Sequence, residues 1–248
     1  MKILNLVPVV GDIWTDEMGE YITKYLMKDT EMVTWKLDYG PATIEGEYDE
    51  VMCAPDIVFK CIQAEKEGFD AIFIDCFGDP AVRAAREAVN IPVFGGFEPS
   101  IYYALGVADK IGIVTVLPEV VPLLNGLIAK AGLQYRVPSV RYVNIPVHEL
   151  HSLDNMVTAL IDECLKAAKE DGVGAIVLGC TAFVDVKEAV EAAFAEAGYK
   201  IPVIEAAQSA VMLLETYVRM GLNHSGVNYM PPRTKQRLWW AGKEATEI

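Results

Sequence analysis

The sequence predicts an α/β protein built as two similar lobes with parallel sheets, related by a pseudo-two-fold. Three observations lead there. Short apolar runs alternate with stretches of helical spacing, the mark of α/β architecture. The runs are continuous rather than alternating with polar residues, as in parallel strands covered on both faces. And the pattern repeats. Residues 71–76 read Ala-Ile-Phe-Ile-Asp-Cys, and residues 175–180 read Ala-Ile-Val-Leu-Gly-Cys.

The elements follow in order. Lys2–Val7 is the first strand. Its apolar character is not that of a signal peptide, because it lacks a strong basic start and runs into Gly11-Asp12. Met18–Met27 and Asp56–Glu67 have helical spacing. Ala71–Asp75 is a strand ending in Cys76, followed by a helix at Ala81–Val89 and a strand at Val93–Phe94. Ile111–Val116 opens the second copy, and Lys110-Ile111 echoes Lys2-Ile3. Helices are expected at Glu119–Ala131 and Leu153–Glu170, with Gly132 and Gly172 as stops. Ala175–Leu178 is a strand ending near Cys180, then comes a helix at Lys187–Ala197 and a strand at Val203–Ile204. Six residues past each cysteine stands a Val followed by a base (Val82-Arg83, Val186-Lys187), and each following helix ends in Ile-Pro-Val. Any two βαβ units share apolar periodicity, but not a cysteine at the same strand end.

The expected division is 1–97 plus 206–225 as the first lobe, 98–205 as the second, and 226–248 as a C-terminal extension. The helix at Ala207–Met220 returns to the first lobe. Trp239-Trp240 covers an apolar patch, on its own lobe or a partner subunit.

With 248 residues the chain suits one large domain or two small ones. Its 52% hydrophobic and 23% charged residues are ordinary for a globular protein. The net charge of −14 disfavours nucleic acid and anionic membrane surfaces as partners. No apolar run reaches the ~18 residues of a membrane span. There is no G-x-G-x-x-G after a strand and no phosphate-binding loop motif, so nucleotide binding has no support. Five cysteines, an odd number without a signal peptide, point to reduced thiols and a cytoplasmic location.

Ligands of open α/β sheets bind outside the carboxyl ends of the strands, where Cys76 and Cys180 fall. A following helix N-terminus there favours thiolate. Two thiols flanking one cleft suit inversion of a stereocentre: one removes a proton and the other returns one to the opposite face. Cysteine is also a common small buried hydrophobe, the expected role of Cys53, Cys61 and Cys164. A metal role is disfavoured by the wide spacing and the lack of C-x-x-C or a neighbouring histidine. A disulfide is possible in principle but opposed by a reducing compartment. His148, His151 and His224 read as surface or local hydrogen-bonding residues. Phe77-Gly78-Asp79-Pro80 is a turn able to present N–H groups, with Thr181 in the mirrored place. Asp79 either orients Cys76 or caps the following helix.

These segments resemble the aspartate/glutamate/hydantoin racemase superfamily, most closely its hydantoin and allantoin racemase branch. The resemblance is carried by 40–46 (Gly-Pro-Ala-Thr-Ile-Glu-Gly), by 76–80 (Cys-Phe-Gly-Asp-Pro), by Ile91-Pro92-Val93, Val114-Thr115-Val116-Leu117, Leu178-Gly179-Cys180-Thr181 and by 229–233 (Tyr-Met-Pro-Pro-Arg). It runs from about residue 1 to 235. It implies two Rossmann-like lobes with the active site in the cleft between them. It also implies racemisation of a 5-substituted hydantoin or allantoin without a cofactor or metal, Cys76 and Cys180 as the acid/base pair, and a homo-oligomer. Backbone N–H groups near Phe77-Gly78 and Thr181-Ala182 would hold the enolate oxygens, and Pro8, Ile44 and Thr115 would line the pocket.

Two departures stand out. The branch's Asn-Pro-Asn-Thr is here Val7-Pro8-Val9-Val10, with the polar anchors gone. Cys180 is followed by Thr181-Ala182-Phe183 rather than Ala-Gly-Met, and Thr181 is closer to the amino-acid racemases. The alternatives are an aspartate/glutamate-type racemase, a maleate-type cis–trans isomerase, or a non-catalytic binding protein. Arylmalonate decarboxylases keep one of the two cysteines, and both are present here.

Overall fold

The structure, a computed structural model, describes residues 1–11, 15–150 and 153–236. The Trp239-Trp240 pair and His151 lie outside the described residues. The first half contains β1 (Lys2–Val7), α1 (Thr15–Thr23), β2 (Glu31–Lys36), α2 (Glu47–Lys66), β3 (Ala71–Ile74), α3 (Val82–Ala88), β4 (Val93–Phe94) and α4 (Phe97–Val107). The second contains β5 (Ile111–Thr115), α5 (Val120–Lys130), β6 (Ser139–Tyr142), a 3-10 turn (Val147–Glu149), α6 (Leu153–Glu170), β7 (Ala175–Leu178), α7 (Lys187–Glu196), β8 (Val203–Ile204) and α8 (Ala206–Met220).

The strands form two four-stranded parallel sheets, ordered β2-β1-β3-β4 and β6-β5-β7-β8, the same order in each. The central strands β1, β3, β5 and β7 are buried almost throughout. Their unbroken apolar character is what two covered faces require. Gly132 and Gly172 adopt φ +70° and +65°, the left-handed geometry that ends a helix cheaply only with glycine.

The last helix of each half crosses to the other sheet. α4 packs on β7 and β8, α8 packs on β3 and β4, and the two helices pack on each other. Phe97, Ile101 and Ala104 of α4 thus join the core of the second sheet, while Ala207, Ala210, Val211 and Leu214 of α8 join Ile3, Phe73 and Phe94 of the first. Past α8, His224 and Tyr229 return to β4. His224 Nε2 accepts from the Val93 N–H at 2.8 Å, and Arg86 donates to the Tyr229 hydroxyl at 3.2 Å. His224 is therefore a half-buried tie across 131 residues rather than a surface or local group.

Three elements exceed the sequence-based expectation. β2 and β6 are edge strands, half-exposed and polar on one side, so they show no apolar run. α4 begins with Glu98-Pro99 in its first turn, where proline is tolerated. α2 also begins nine residues early, with Pro55 inside it. Pro55 has no N–H to offer the Val51 carbonyl four residues earlier, and this falls on a turn where Val51 is 70% exposed and water can replace the bond.

Candidate active site

The parallel register fixes the site. β1 and β3 pair as far as Leu6 with Ile74, and β5 and β7 as far as Val114 with Leu178. One further ladder bond closes each pair: the Asp75 N–H donates to the Leu6 carbonyl and the Gly179 N–H to the Val114 carbonyl, both at 2.8 Å. The chain then leaves the sheet at Cys76 and Cys180, in corresponding places. Both line one cavity of roughly 730 Å³ including its open mouth.

Pro8, Ile44, Phe77, Gly78, Thr115, Thr181 and Ala182, the other residues singled out from sequence, line the same cavity. Pro8 and Phe77 are buried, and Ile44 reaches in from the loop between β2 and α2. The Thr115 hydroxyl, fully buried, donates to the Gly179 carbonyl at 2.9 Å and so braces the Cys180 loop. The Thr181 hydroxyl donates to the Asp75 carbonyl at 3.4 Å, tying one cysteine loop to the other. Sequence reasoning missed Val7, Val9, Val116, Val120, Leu123 and Val147, which make the wall largely apolar. Among the described residues, the lining holds no Lys, Arg or His. Also among them, no group of three or more His, Cys, Asp or Glu could hold a metal ion.

The thiols do not sit at helix N-termini. α3 starts only at Val82 and α7 only at Lys187, so a helix dipole is too distant to favour thiolate. The expectation of lowered thiol pKa values is reversed. Burial pushes Cys180 up to about 12 and Cys76 well above its ordinary value. The Gly78 N–H and the Ala182 N–H each point at the sulfur two residues earlier and partly offset the burial. Cys53, Cys61 and Cys164 are fully buried with raised pKa values, as packing residues should be.

The Asp79 side chain neither orients Cys76 nor caps α3; only its backbone N–H reaches Cys76, at the carbonyl, at 3.5 Å. Its carboxylate accepts from the Phe97 and Glu98 N–H groups at 2.8 and 3.2 Å and so caps α4. This needs a left-handed Asp79 (φ 53°) and Ala81 (φ 55°) on either side of Pro80, a strained turn beside the Cys76 loop. The strain re-aims the carboxylate from the next helix in sequence to the next in space.

The model of the Asp/Glu/hydantoin racemase family matches residues 8–214. The chain belongs to this family. Hydantoin racemase of Pseudomonas sp. (strain NS671) is 34% identical over 238 residues, covering 95% of this chain and 94% of that one. Among solved structures, allantoin racemase from Klebsiella pneumoniae superimposes with TM-score 0.88 at 28% identity, covering 98% of both chains. Allantoin racemase from Pseudomonas fluorescens gives TM-score 0.89 at 26% identity, over 96% of this chain and all of that one. The two parallel sheets are therefore the family's α/β fold, and the named relatives are isomerases.

Proposed function

We propose that the chain racemises a 5-substituted hydantoin or related cyclic ureide such as allantoin, with Cys76 and Cys180 as the two acid/base groups. The observation that carries this is the matched placement of two thiols at corresponding strand ends, on one largely apolar cavity whose described lining holds no cationic side chain. A neutral ring suits that lining, since a free dicarboxylate or acidic amino acid would find no charged partner there.

In the step itself, one thiolate takes the proton from the ring carbon next to the carbonyl. The electron pair of that C–H bond moves into the carbonyl as an enolate. The opposite thiol gives its proton to the other face of the carbon, and the new C–H bond completes inversion. The first sulfur ends as thiol and the second as thiolate. No electron is gained or lost, and the adjacent carbonyl supplies the acidity that an electron-sink cofactor would otherwise supply. The enolate oxygen is held by N–H groups of the two cysteine loops. We take the chain to act as a homo-oligomer in a reducing, cytoplasmic compartment.

The test is a panel of enantiopure hydantoins, allantoin, aspartate, glutamate and maleate. Optical rotation follows racemisation, and deuterium wash-in from D2O follows proton abstraction. Loss of rotation for a ureide and not for the acids is expected. Cys76→Ser and Cys180→Ser should each lower racemisation at least 100-fold. A Cys76→Ser protein racemising both enantiomers at full rate overturns the two-thiol scheme, and turnover of maleate alone or of free amino acids alone overturns the substrate class.

A further inference from the structure

Among the described residues, the buried side-chain oxygens and nitrogens without a hydrogen-bond partner belong to three residues only: Asn5, Glu50 and Asp75. Asp75 and Glu50 lie beside the two cysteines, and Asn5 and Thr181 face the Asp75 carboxyl. Buried polar groups are nearly always satisfied, so such a cluster calls for a functional explanation. Asp75 closes β3 directly before Cys76, is 6% exposed, and has both carboxyl oxygens buried. Burial pushes its carboxyl up to about 6, and once ionised its charge bears on Cys180 across the cleft. Glu50 reaches over Gly78, where a Cβ would lie 2.5 Å from its Oε1; burial pushes it up to about 7, and once ionised its charge bears on Cys76. Glu45 also bears on Cys180, but its Oε1 accepts from the Val147 N–H at 2.9 Å. Among the described residues Lys130 bears on Glu50; both lie behind the cavity lining, on an adjoining pocket that Arg83 also lines.

We propose that Asp75 and Glu50 are a pair of charge filters, one behind each thiol, that make this site reject carboxylate-bearing ligands and accept neutral ones. The inference deepens the racemase reading and rests on its placement of the two thiols in the substrate site.

The charge balance makes the device compatible with catalysis. With a neutral substrate the site carries one mobile negative charge throughout. It begins on a thiolate, passes through the enolate and ends on the other thiolate. The carboxylates oppose that charge about equally at every stage. An anionic substrate adds a second negative charge at every stage, in a place of low dielectric where the described lining holds no cation to receive it. The filter is a case of discrimination by repulsion rather than by added attraction.

The test uses the intact protein at a pH of about 8.5, above both raised carboxyls, and two alkylating agents of nearly equal size, anionic iodoacetate and neutral iodoacetamide. Initial rates are read at each cysteine by peptide mass spectrometry and compared with the neutral thiol N-acetylcysteine amide. Taking the ratio of the two reagents cancels the fraction of thiolate. In the unaltered protein the iodoacetate-to-iodoacetamide ratio at Cys76 and Cys180 should fall at least about tenfold below that of the free thiol. Asp75→Asn should restore most of the ratio at Cys180 and little at Cys76, and Glu50→Gln the reverse. A ratio equal to that of the free thiol overturns the proposal without any variant, as does an identical shift at both thiols in both variants. Racemisation of 5-(carboxymethyl)hydantoin against its neutral carbamoylmethyl analogue is the second arm. If neither hydantoin turns over while the alkylation ratios behave as stated, the racemase reading fails and the filter stands.

Discussion

The proposed chemistry turns on two sulfurs that burial makes poor thiolates at rest. Burial raises both thiols, and the N–H groups of Gly78 and Ala182 offset only part of it. The sign is direct. A thiol with a raised pKa is protonated at neutral pH, and its reactive form grows with rising pH until the pKa is passed. Alkylation of Cys180 by iodoacetamide should therefore rise close to tenfold per pH unit from 7 to 10, as peptide mass spectrometry would record. A plateau near pH 7 would show instead a thiolate stabilised in the resting protein. The residue scale was only partly legible in sequence. Cys76, Cys180 and the residues beside them were legible because strand ends in parallel sheets converge on the ligand face. Asp75 and Glu50 were not, because what singles them out is a missing partner, which exists only after the halves close. The thiol shift was misread although the helix starts, expected at Ala81 and Lys187, lie within a residue of the observed Val82 and Lys187: they stand too far along the chain from each thiol to offset its burial.

At the scale of elements, α4 depends on a cap borrowed from another part of the chain. Asp79 supplies it, and Gly95 leaves room for it, since a Cβ on Gly95 would run into the Asp79 carboxylate. Asp79→Ala should cost about 1 kcal/mol, the usual worth of an N-cap, or roughly 2–4 °C in Tm for a chain of this size. Gly95→Ala should displace the same carboxylate. The double variant should then be far less destabilised than the sum, and calorimetry of all four proteins measures that coupling. Additive losses would mean that the two residues act separately. The C-terminal segment makes a second case. Burial lowers His224 to about 4, so it stays neutral and accepts from Val93. With a folded pKa below the unfolded ~6.5, its contribution is complete above pH 6.5. It is lost as pH falls through the window down to about 4, because the unfolded form takes up the proton first. Hydrogen exchange should show residues 222–230 loosening between pH 6 and 4 while β1 and β5 hold. His224→Gln, which keeps an acceptor without the titration, should remove that dependence. Legibility at this scale followed burial. The central strands and the Gly-stopped helices declared themselves by apolar runs and left-handed glycines. The edge strands β2 and β6, and α4 with its early proline, carry no such signature because packing from outside the segment defines them.

At the scale of the molecule, the exchange of α4 and α8 decides how the halves share stability. α4, between β4 and β5 in the chain, covers the second sheet, and α8, after β8, returns to cover the first, while the two helices pack on each other. Polar ties join the same seam: Tyr21 and Tyr25 both donate to Glu205, Lys24 pairs with Asp185 at 2.9 Å, and Thr181 reaches the Asp75 carbonyl. A repeat with cysteines at matching strand ends gains a common cavity only if that seam stays closed, since each wall of the site comes from a different sheet. Leu214 tests the coupling. It is fully buried in α8 against the first sheet, and Leu214→Ala should cost about 2–5 kcal/mol. If the halves open as one unit, the protection of β5 and β7 amides against hydrogen exchange should fall as much as that of β1 and β3, although Leu214 touches neither β5 nor β7. If α8 merely leans on the first sheet, only β1 and β3 should lose protection. The first outcome would make the distance between Cys76 and Cys180 a property of the whole fold, held by helices that each half lends to the other.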